Sequence, residues 1–419
     1  TVSIIDDGLG ATSFDNLHPD IDPDIVATAE NGNVTTGEFG TDPGLHGLHT
    51  TGTATGTADP AGDVPRYGVA PNASLISINT FEGVAAAEDS VAAVEFSVEQ
   101  DADVASMSLG FPPQSENSVL ELLMEQQMRE ANALGTVVIG SAGNEGSGAA
   151  GGPATSPGAE FSGLSIGASD DSREIAEFSS GALIDPFSVD YVDVGGGTEY
   201  PDYYPYEYIK PDVSAPGVGV LSSGALGTVT QNDPTYSESS GTSMAAPHVA
   251  GAVALVQSAT EEDLNANLIK AALVETADKP VDNLTELAQR DIRYGAGIIN
   301  VTAATEAVID GTLEIEGQVT DTDGEPIVGA TVETDDGALT TTDQNGNYTL
   351  QTTSEPVNVT ANAFGFTPET QAVSSNSSSV DFQLADELDL NLVSGQPAFT
   401  EFGGSFNISV DVRNLETLT

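Results

Sequence analysis

The chain has 419 residues, enough for one large domain and one or two small ones with a substantial core. Asp and Glu number 65 against 9 Lys and Arg, a formal net charge of −56, yet 39% of the residues are hydrophobic. Because the acids are scattered among apolar runs, the composition indicates a folded protein with an anionic surface. Such a surface repels nucleic acid and anionic membranes, so we expect no nucleic-acid partner.

The charge predicts adaptation to strong salt, because only high ionic strength screens the mutual repulsion of so many carboxylates. An acidic or calcium-rich secreted protein is the alternative. There is no cysteine to form a disulfide, and no apolar run approaches the roughly 20 residues of a membrane-spanning helix. The chain begins at a threonine, so we take it to be a processed or cropped product.

Residues 1–309 alternate between short apolar runs and helical patterns. Strands are predicted at 2–5, 74–78, 104–108, 136–139 and 164–167. Helices are predicted at 84–100, 117–133, 244–258 and 261–276, the last opened by a capping box at Thr260 and Asp263. This order predicts an α/β domain whose parallel central sheet is covered by helices on both faces.

Residues 312–385 have a different character. Short alternating runs separated by Asp-Gly and Asn-Gly turns predict an all-β module there, and residues 386–419 read as the beginning of a further, truncated β-sandwich. A tyrosine-rich segment at 183–208 is interpreted as a surface insertion that packs on itself, with a substrate-contacting rim as the alternative.

The segment from residue 240 to 251 carries the strongest chemical signal. Ser243 follows Gly241 and opens a helix of small residues, where free N–H groups and the positive end of the helix dipole favour negative charge. Pro247 is expected in about the first turn, where a missing N–H costs little. A capped, buried helix would show the same pattern, so partner residues must decide whether Ser243 is a nucleophile.

A serine nucleophile needs a base, usually histidine, which a carboxylate orients. His46 begins a small-residue helical segment, and Asp6 follows a buried strand whose end is a usual place for functional groups. We choose Asp6 over Asp7 because strand alternation turns Asp7 the other way. His46 and His49 also have the spacing of a metal pair, but zinc is disfavoured because the segment has neither Cys nor Glu.

Asn144 lies on a glycine-flanked turn after the strand predicted at 136–139. A neutral amide donor there suits an oxyanion hole, shared with the backbone N–H of Ser243. A plain turn asparagine is the competing interpretation.

The chain order Asp6, His46, Asn144, Ser243 resembles that of the subtilisin-like (subtilase) serine peptidases. Five further segments match the family pattern, at 17–20, 68–71, 107–110, 210–217 and 294–300. The resemblance covers residues 1–309 and implies a three-layer subtilisin-like domain. Together with the charge, it suggests the halolysin-like branch from haloarchaea.

The resemblance implies a serine endopeptidase. In that family Ser243 would attack the peptide carbonyl, His46 would take and return the proton, Asp6 would hold the imidazole and Asn144 would stabilise the oxyanion. Backbone groups of two segments would hydrogen-bond an extended substrate, which makes broad specificity the expectation. Those segments are Ser108, Leu109 and Gly110, and the chain around Gly143.

Four positions depart from the family pattern. Leu48, Thr50 and Thr51 replace the usual residues beside the base, and we interpret them as packing positions. Asp7 stands where small hydroxyl residues are commoner.

No cofactor is expected for the chemistry, but a structural Ca²⁺ is a hypothesis. Asp20 matches a calcium ligand of the family, and Asp59 and Asp63 lie in a loop that offers carboxylate oxygens. The resemblance further implies protein or peptide substrates, a propeptide inhibitor, and a monomer located outside the cell or on its surface.

The β module resembles the carboxypeptidase regulatory-like domain, a transthyretin-like sandwich, over segments 316–319, 326–332 and 342–348. It has no reactive constellation, so we expect it to serve attachment, spacing or substrate docking. A catalytically silent subtilase scaffold that binds through its β modules is the rival interpretation. The intact set Asp6, His46, Asn144 and Ser243 favours the enzyme.

Overall fold

The computed structural model describes residues 1–40, 44–81, 87–110, 118–146, 155–184, 204–205, 207–224, 235–261, 263–279, 290–353, 357–374 and 379–386. The predicted second sandwich and most of the tyrosine-rich segment therefore lie outside the described residues.

The N-terminal region is built on an eight-stranded sheet. Its strands and the short strands beside it are β1 Val2–Asp6, β2 Ile25–Glu30, β3 Asn33–Thr36, β4 Leu75–Asn79, β5 Val104–Met107, β6 Val137–Ser141, β7 Leu164–Ser169, β8 Ala182–Ile184, β9 Tyr208–Lys210, β10 Val213–Pro216, β11 Val220–Ser223 and β12 Tyr236–Ser239. The order is β10-β7-β6-β5-β1-β4-β2-β3. All neighbours are parallel except the edge pair of β2 and β3.

Helices cover both faces of this sheet. They are α1 His46–Thr55, α2 Ala87–Glu99, α3 Ser118–Ala133, α4 Thr242–Gln257, α5 Ala266–Glu275 and α6 Val301–Asp310. Successive strand residues enter different cores: Ile4 packs in the cluster that contains α4, and Ile5 in the cluster that contains α2 and α3. The predicted three-layer α/β fold is confirmed, because these strands are buried on both faces.

Small residues let α4 lie deep against the sheet. Ala245, Ala246 and Ala250 are fully buried, and the helix packs on β5, β6, β7 and β10 as well as on α1. The predicted start of α5 was wrong: its N-cap is Asn265, whose side chain accepts from the Leu268 N–H (2.8 Å), and the Thr260 and Asp263 pair precedes the helix. Among the described residues no helix is long and apolar enough to cross a bilayer.

The C-terminal region is all-β, as predicted. Its strands are β13 Leu313–Asp321, β14 Thr331–Thr334, β15 Leu339–Thr341, β16 Asn347–Thr352, β17 Val357–Asn362, β18 Phe366–Thr367, β19 Glu369–Val373 and β20 Phe382–Asp386. They form two four-stranded sheets, β16-β13-β20-β18 and β15-β14-β17-β19, around one apolar cluster.

The β module is docked on the peptidase-like region through α5. Ala271 of this helix belongs to the module's own apolar cluster, and Glu275 accepts from the Thr353 N–H (2.8 Å) and from the hydroxyls of Thr352 and Thr353. Apolar burial and hydrogen bonds to a carboxylate thus join the two regions.

Candidate active site

The predicted catalytic side chains come together at the carboxyl ends of the central strands. Asp6 is the last residue of β1, Ser108 follows β5 directly, and Asn144 comes three residues after β6. His46 is the first residue of α1 and Ser243 the second residue of α4, and these two helices pack together. Parallel strands present such groups on one edge of the sheet.

Asp6 and His46 form a hydrogen-bonded ion pair. His46 Nδ1 donates to Asp6 Oδ1 at 2.8 Å, and the Asp7 N–H donates to the same oxygen at 2.8 Å. The second oxygen, Oδ2, accepts from the Thr50 hydroxyl at 3.0 Å. Asp6 is only 2% exposed, so these donors fix a buried carboxylate.

The electrostatics of the pair favour a protonated imidazole. The negative charge of Asp6 raises the pKa of His46 to about 9, although burial opposes it, and Asp7 adds to the rise. Neighbouring opposite charge stabilises the protonated form, which is how an orienting carboxylate strengthens a base.

Thr50 is the functional neighbour that sequence reasoning missed. We predicted a packing position, but its hydroxyl donates to Asp6, so that prediction was incomplete. The Asp7 carboxylate accepts from the Gly47 N–H (2.6 Å) and so fixes the start of α1, while it is Asp6 that accepts from the imidazole of His46.

The side chain of Asn144 is oriented by Thr242. The Thr242 N–H and hydroxyl both approach Asn144 Oδ1, at 2.9 and 3.1 Å. Because a backbone N–H only donates, this contact identifies the amide oxygen and leaves the NH₂ group for another acceptor. Thr242 also accepts from the Gly143 N–H (3.2 Å), and so joins the Asn144 turn to the first residue of α4.

Gly143 makes this turn possible. Its φ of 108° lies in the left-handed region, and an added Cβ would stand 2.7 Å from Glu145 Oε2. Only glycine adopts this conformation without strain.

The Ser243 hydroxyl is held by Ser108. It donates to the Ser108 carbonyl at 3.1 Å, and the Ser108 hydroxyl donates to the Ser243 carbonyl at 2.9 Å. Pro247, which we placed in about the first turn, is the sixth residue of α4, and that prediction was wrong. Pro247 has no N–H to donate to the Ser243 carbonyl, four residues earlier in the helix. The Ser108 hydroxyl donates to that carbonyl instead.

The two predicted substrate-binding segments face each other across Thr155. An added Cβ on Gly110 or Gly143 would stand 2.8 or 3.2 Å from Thr155 Oγ1. Leu109 is 6% exposed and packs in the apolar cluster that contains α2 and α3. A side chain at Gly110 or Gly143 would therefore crowd Thr155.

His49 has a structural role. Its Nε2 lies 3.0 Å from the Val220 carbonyl and 3.2 Å from the Ser237 carbonyl. Both carbonyls are acceptors, so Nε2 must carry a proton to bind them. A protonated Nε2 is not available to a metal ion.

Asp20, the first of the residues proposed for calcium, is hydrogen-bonded on both carboxylate oxygens. Its Oδ2 accepts from the hydroxyls of Tyr67 and Tyr236, both at 2.8 Å, and its Oδ1 accepts from the Ala61 N–H at 2.8 Å. Asp59 and Asp63 are exposed, and within the described ranges no group of three or more His, Asp or Glu side chains is placed to hold a metal. Asp20 thus fixes a loop through its hydrogen bonds, and calcium binding there stays a hypothesis.

Comparison with known proteins establishes the family. The subtilase family model matches residues 1–297, and the carboxypeptidase regulatory-like domain model matches residues 314–385. Subtilisin DY from Bacillus licheniformis is 32% identical over 308 residues, which are 73% of this chain and 90% of that protein. Subtilisin E from Bacillus subtilis is 30% identical over 73% of this chain and 65% of its own length, and Subtilisin Savinase from Lederbergia lenta 29% over 73% and 90%.

The chain therefore belongs to the subtilase family and carries a carboxypeptidase regulatory-like domain. It is a serine-type endopeptidase, a class whose subtilisin members need no cofactor for the chemical step.

Proposed function

We propose that this endopeptidase cleaves peptide bonds through Asp6, His46 and Ser243, with Asn144 in the oxyanion hole. The observation that carries the proposal is the His46 Nδ1 to Asp6 Oδ1 hydrogen bond of 2.8 Å, at the sheet edge where α1 and α4 meet. A histidine held through Nδ1 offers Nε2 to the nucleophile.

Attack begins with a rotation of Ser243. Its hydroxyl now donates to the Ser108 carbonyl, so a change of its χ1 angle toward His46 Nε2 precedes proton transfer. His46 then takes the proton as Ser243 Oγ forms a bond to the scissile carbonyl carbon, and returns it to the leaving amine. Hydrogen bonds of apo active sites often tighten only when substrate is bound.

The tetrahedral oxyanion is stabilised by neutral donors. With its amide oxygen bound to Thr242, Asn144 presents its NH₂ group to the developing charge, and the Ser243 N–H at the start of α4 is the second donor. Preorganised donors at a helix N-terminus need no reorientation during the reaction.

Substrate recognition rests on backbone groups of Ser108, Leu109, Gly110 and Gly143, which supports broad specificity. Subtilisin relatives and the −56 charge support action outside the cell in strong salt, on protein or peptide substrates. We further propose a monomer that a propeptide inhibits. Calcium binding is typical of the family and stays a hypothesis for Asp20, Asp59 and Asp63, and no catalytic step depends on it.

The test is peptide hydrolysis in strong NaCl by the wild-type chain and by Ser243→Ala and His46→Ala variants. We expect turnover by the wild-type chain and a loss of several orders of magnitude in both variants. A folded wild-type chain that binds peptide but does not cleave it would instead support the silent-scaffold interpretation.

A further inference from the structure

The chain concentrates its few cations in one cleft between the peptidase domain and the β module. Four of its nine Lys and Arg residues line this cleft of about 380 Å³, whereas only two lining residues are acidic. The cations are Arg129, Lys210, Lys270 and Arg290, and the acids are Asp212 and Asp343. Cations thus outnumber acids among the lining residues of a protein of net charge −56, although the carboxyl groups of Glu125, near Lys210 and Lys270, and of Glu333, near Arg290, offset part of that excess.

The cleft lies away from the catalytic edge of the sheet. Asp212 immediately precedes β10, two residues after Lys210 ends the short strand β9, and the Asp212 N–H donates to the Ser165 carbonyl near the start of β7. These are the amino ends of strands, whereas Asp6 and Ser108 stand at carboxyl ends. A ligand in the cleft therefore does not compete with peptide substrate for the same groups.

Asp212 neutralises part of the positive charge in the cleft. It binds Lys210 Nζ at 2.8 Å through Oδ2 and Arg290 through Oδ1. Lys270 donates to the Ser162 carbonyl (2.8 Å), a neutral acceptor. Burial, together with the charges of Lys210 and Arg290, lowers the pKa of Lys270 to about 8, because these outweigh the nearby carboxylates.

Two buried polar atoms on residues that line the cleft have no partner among the described residues. Arg290 is 7% exposed, and its Nε has no acceptor. Asn132 donates to the Ser162 carbonyl, but its Oδ1 has no donor. Buried polar groups are nearly always hydrogen-bonded, so an unpaired donor and acceptor beside one cavity indicate a missing partner with both functions.

The aromatic residues of the lining suit the organic part of a ligand. Tyr208 and Tyr348 are buried, and their hydroxyls already donate to the carbonyls of Ala159 (3.0 Å) and Val380 (2.6 Å), so they contribute their rings. The volume falls within the roughly 300–1,000 Å³ typical of small-molecule sites.

We propose that the interdomain cleft binds a small organic anion that carries a carboxylate or phosphate group. The anionic group pairs with Lys270 and Arg290 Nε, and a hydroxyl of the ligand donates to Asn132. Because Arg290 also donates to the Gly337 carbonyl of the β module (3.4 Å), the ligand fastens the module to the peptidase domain. The proposal does not depend on the catalytic role of Ser243.

The experiment is calorimetric titration of the full chain carrying Ser243→Ala, at the lowest NaCl concentration that keeps it folded. Citrate and glycerol 3-phosphate distinguish the carboxylate from the phosphate source, and glycerol is the neutral control. We expect saturable one-to-one binding of at least one anion and none of glycerol. No saturable binding of either anion overturns the proposal.

Three variants separate the cleft from general charge effects. Lys270→Gln should weaken binding roughly tenfold or more, since a hydrogen bond to a charged group is lost. Arg173→Gln removes a cation that pairs with Asp278 instead, and should bind as the parent does. Asp343→Asn keeps the oxygen that accepts from the N–H groups of Asn345 and Asn347 but removes a negative charge, so it should bind several-fold tighter.

The Asp343→Asn result cannot come from damage to the fold, because destabilisation does not strengthen binding. Equal affinities of the parent, Lys270→Gln and Arg173→Gln proteins would contradict the proposal.

Discussion

Thr50→Val tests whether the hydroxyl beside the triad holds its carboxylate in place. Valine keeps the shape of threonine and removes only the hydroxyl, whose proton Asp6 Oδ2 at 3.0 Å and the Gly47 carbonyl at 3.1 Å share. Asp6 is 2% exposed, so the lost bond is one to a buried charge, which stabilises proteins by about 1.5–3 kcal/mol. We expect the free energy of unfolding to fall by that amount.

Catalysis should fall as well, because Asp6 Oδ2 loses the donor that orients the carboxylate toward His46. If about 1 kcal/mol of this stabilisation is also lost from the transition state, kcat/KM decreases roughly fivefold. The two quantities are measured on different proteins. The free energy of unfolding is measured with denaturant on a chain that also carries Ser243→Ala, which prevents self-digestion. Hydrolysis of a peptide anilide is measured on the chain with an intact Ser243.

Thr51→Val is the matched control. Thr51 is fully buried in the next position of α1, and its hydroxyl has no hydrogen-bond partner among the described residues. Removing an unpaired buried hydroxyl should leave stability unchanged or raise it by up to about 1 kcal/mol, with no effect on kcat/KM. If both substitutions have the same effects on unfolding and on hydrolysis, the positioning role of Thr50 is refuted.

Four further outcomes follow from the site and the charge. Since the base must be neutral and Asp6 raises the pKa of His46 to about 9, kcat/KM at low salt should rise with pH toward that value. Salt should lower the pH at which kcat/KM reaches half of its maximum, because the His46 side chain is 39% exposed. A midpoint below pH 6.5 would contradict the assignment of His46 as a base paired with Asp6. Asn144→Ala should lower kcat by about 10²–10³-fold with little change in KM, the loss measured for one oxyanion-hole donor in subtilisin itself; an unchanged kcat would exclude that role. The melting temperature should fall steeply below about 1 M NaCl, where the Debye length exceeds roughly 3 Å and 65 acids repel one another; scanning calorimetry across salt concentrations checks this, and a flat profile would speak against salt adaptation. If Asp20 acts only through its hydrogen bonds to tyrosine hydroxyls, Asp20→Ala should lower the melting temperature equally with calcium and with chelator; a calcium-dependent difference would show that it binds calcium as well.

The central strands and the site order were predictable because they depend on local patterns. Runs such as β1 and β6 are buried on both faces, and continuous apolar segments of that length are typical of parallel sheets. Asp6 stands at the end of β1, whereas His46 and Ser243 stand at the starts of α1 and α4, and the fold places these three ends on one edge of the sheet.

The remaining details depend on contacts between distant parts of the chain. Thr50 lies 44 positions from Asp6, and Ser108 lies 135 positions from Ser243, so nothing in either local sequence shows the hydrogen bond. The capping box at Thr260 and Asp263 predicted too early a start for α5, whose N-cap is Asn265, because propensity alone does not choose between neighbouring N-cap residues. The position of the β module likewise depends on the long-range pairing of Glu275 with Thr353.

The most direct test of the central claim is covalent labelling of the folded chain by a fluorophosphonate in strong NaCl, with the modified residue located by mass spectrometry. The account predicts one adduct, on Ser243, whose formation quickens with pH as His46 loses its proton and slows sharply in Asp6→Asn. No adduct on the folded wild-type chain, or an adduct that persists in Ser243→Ala, would contradict it.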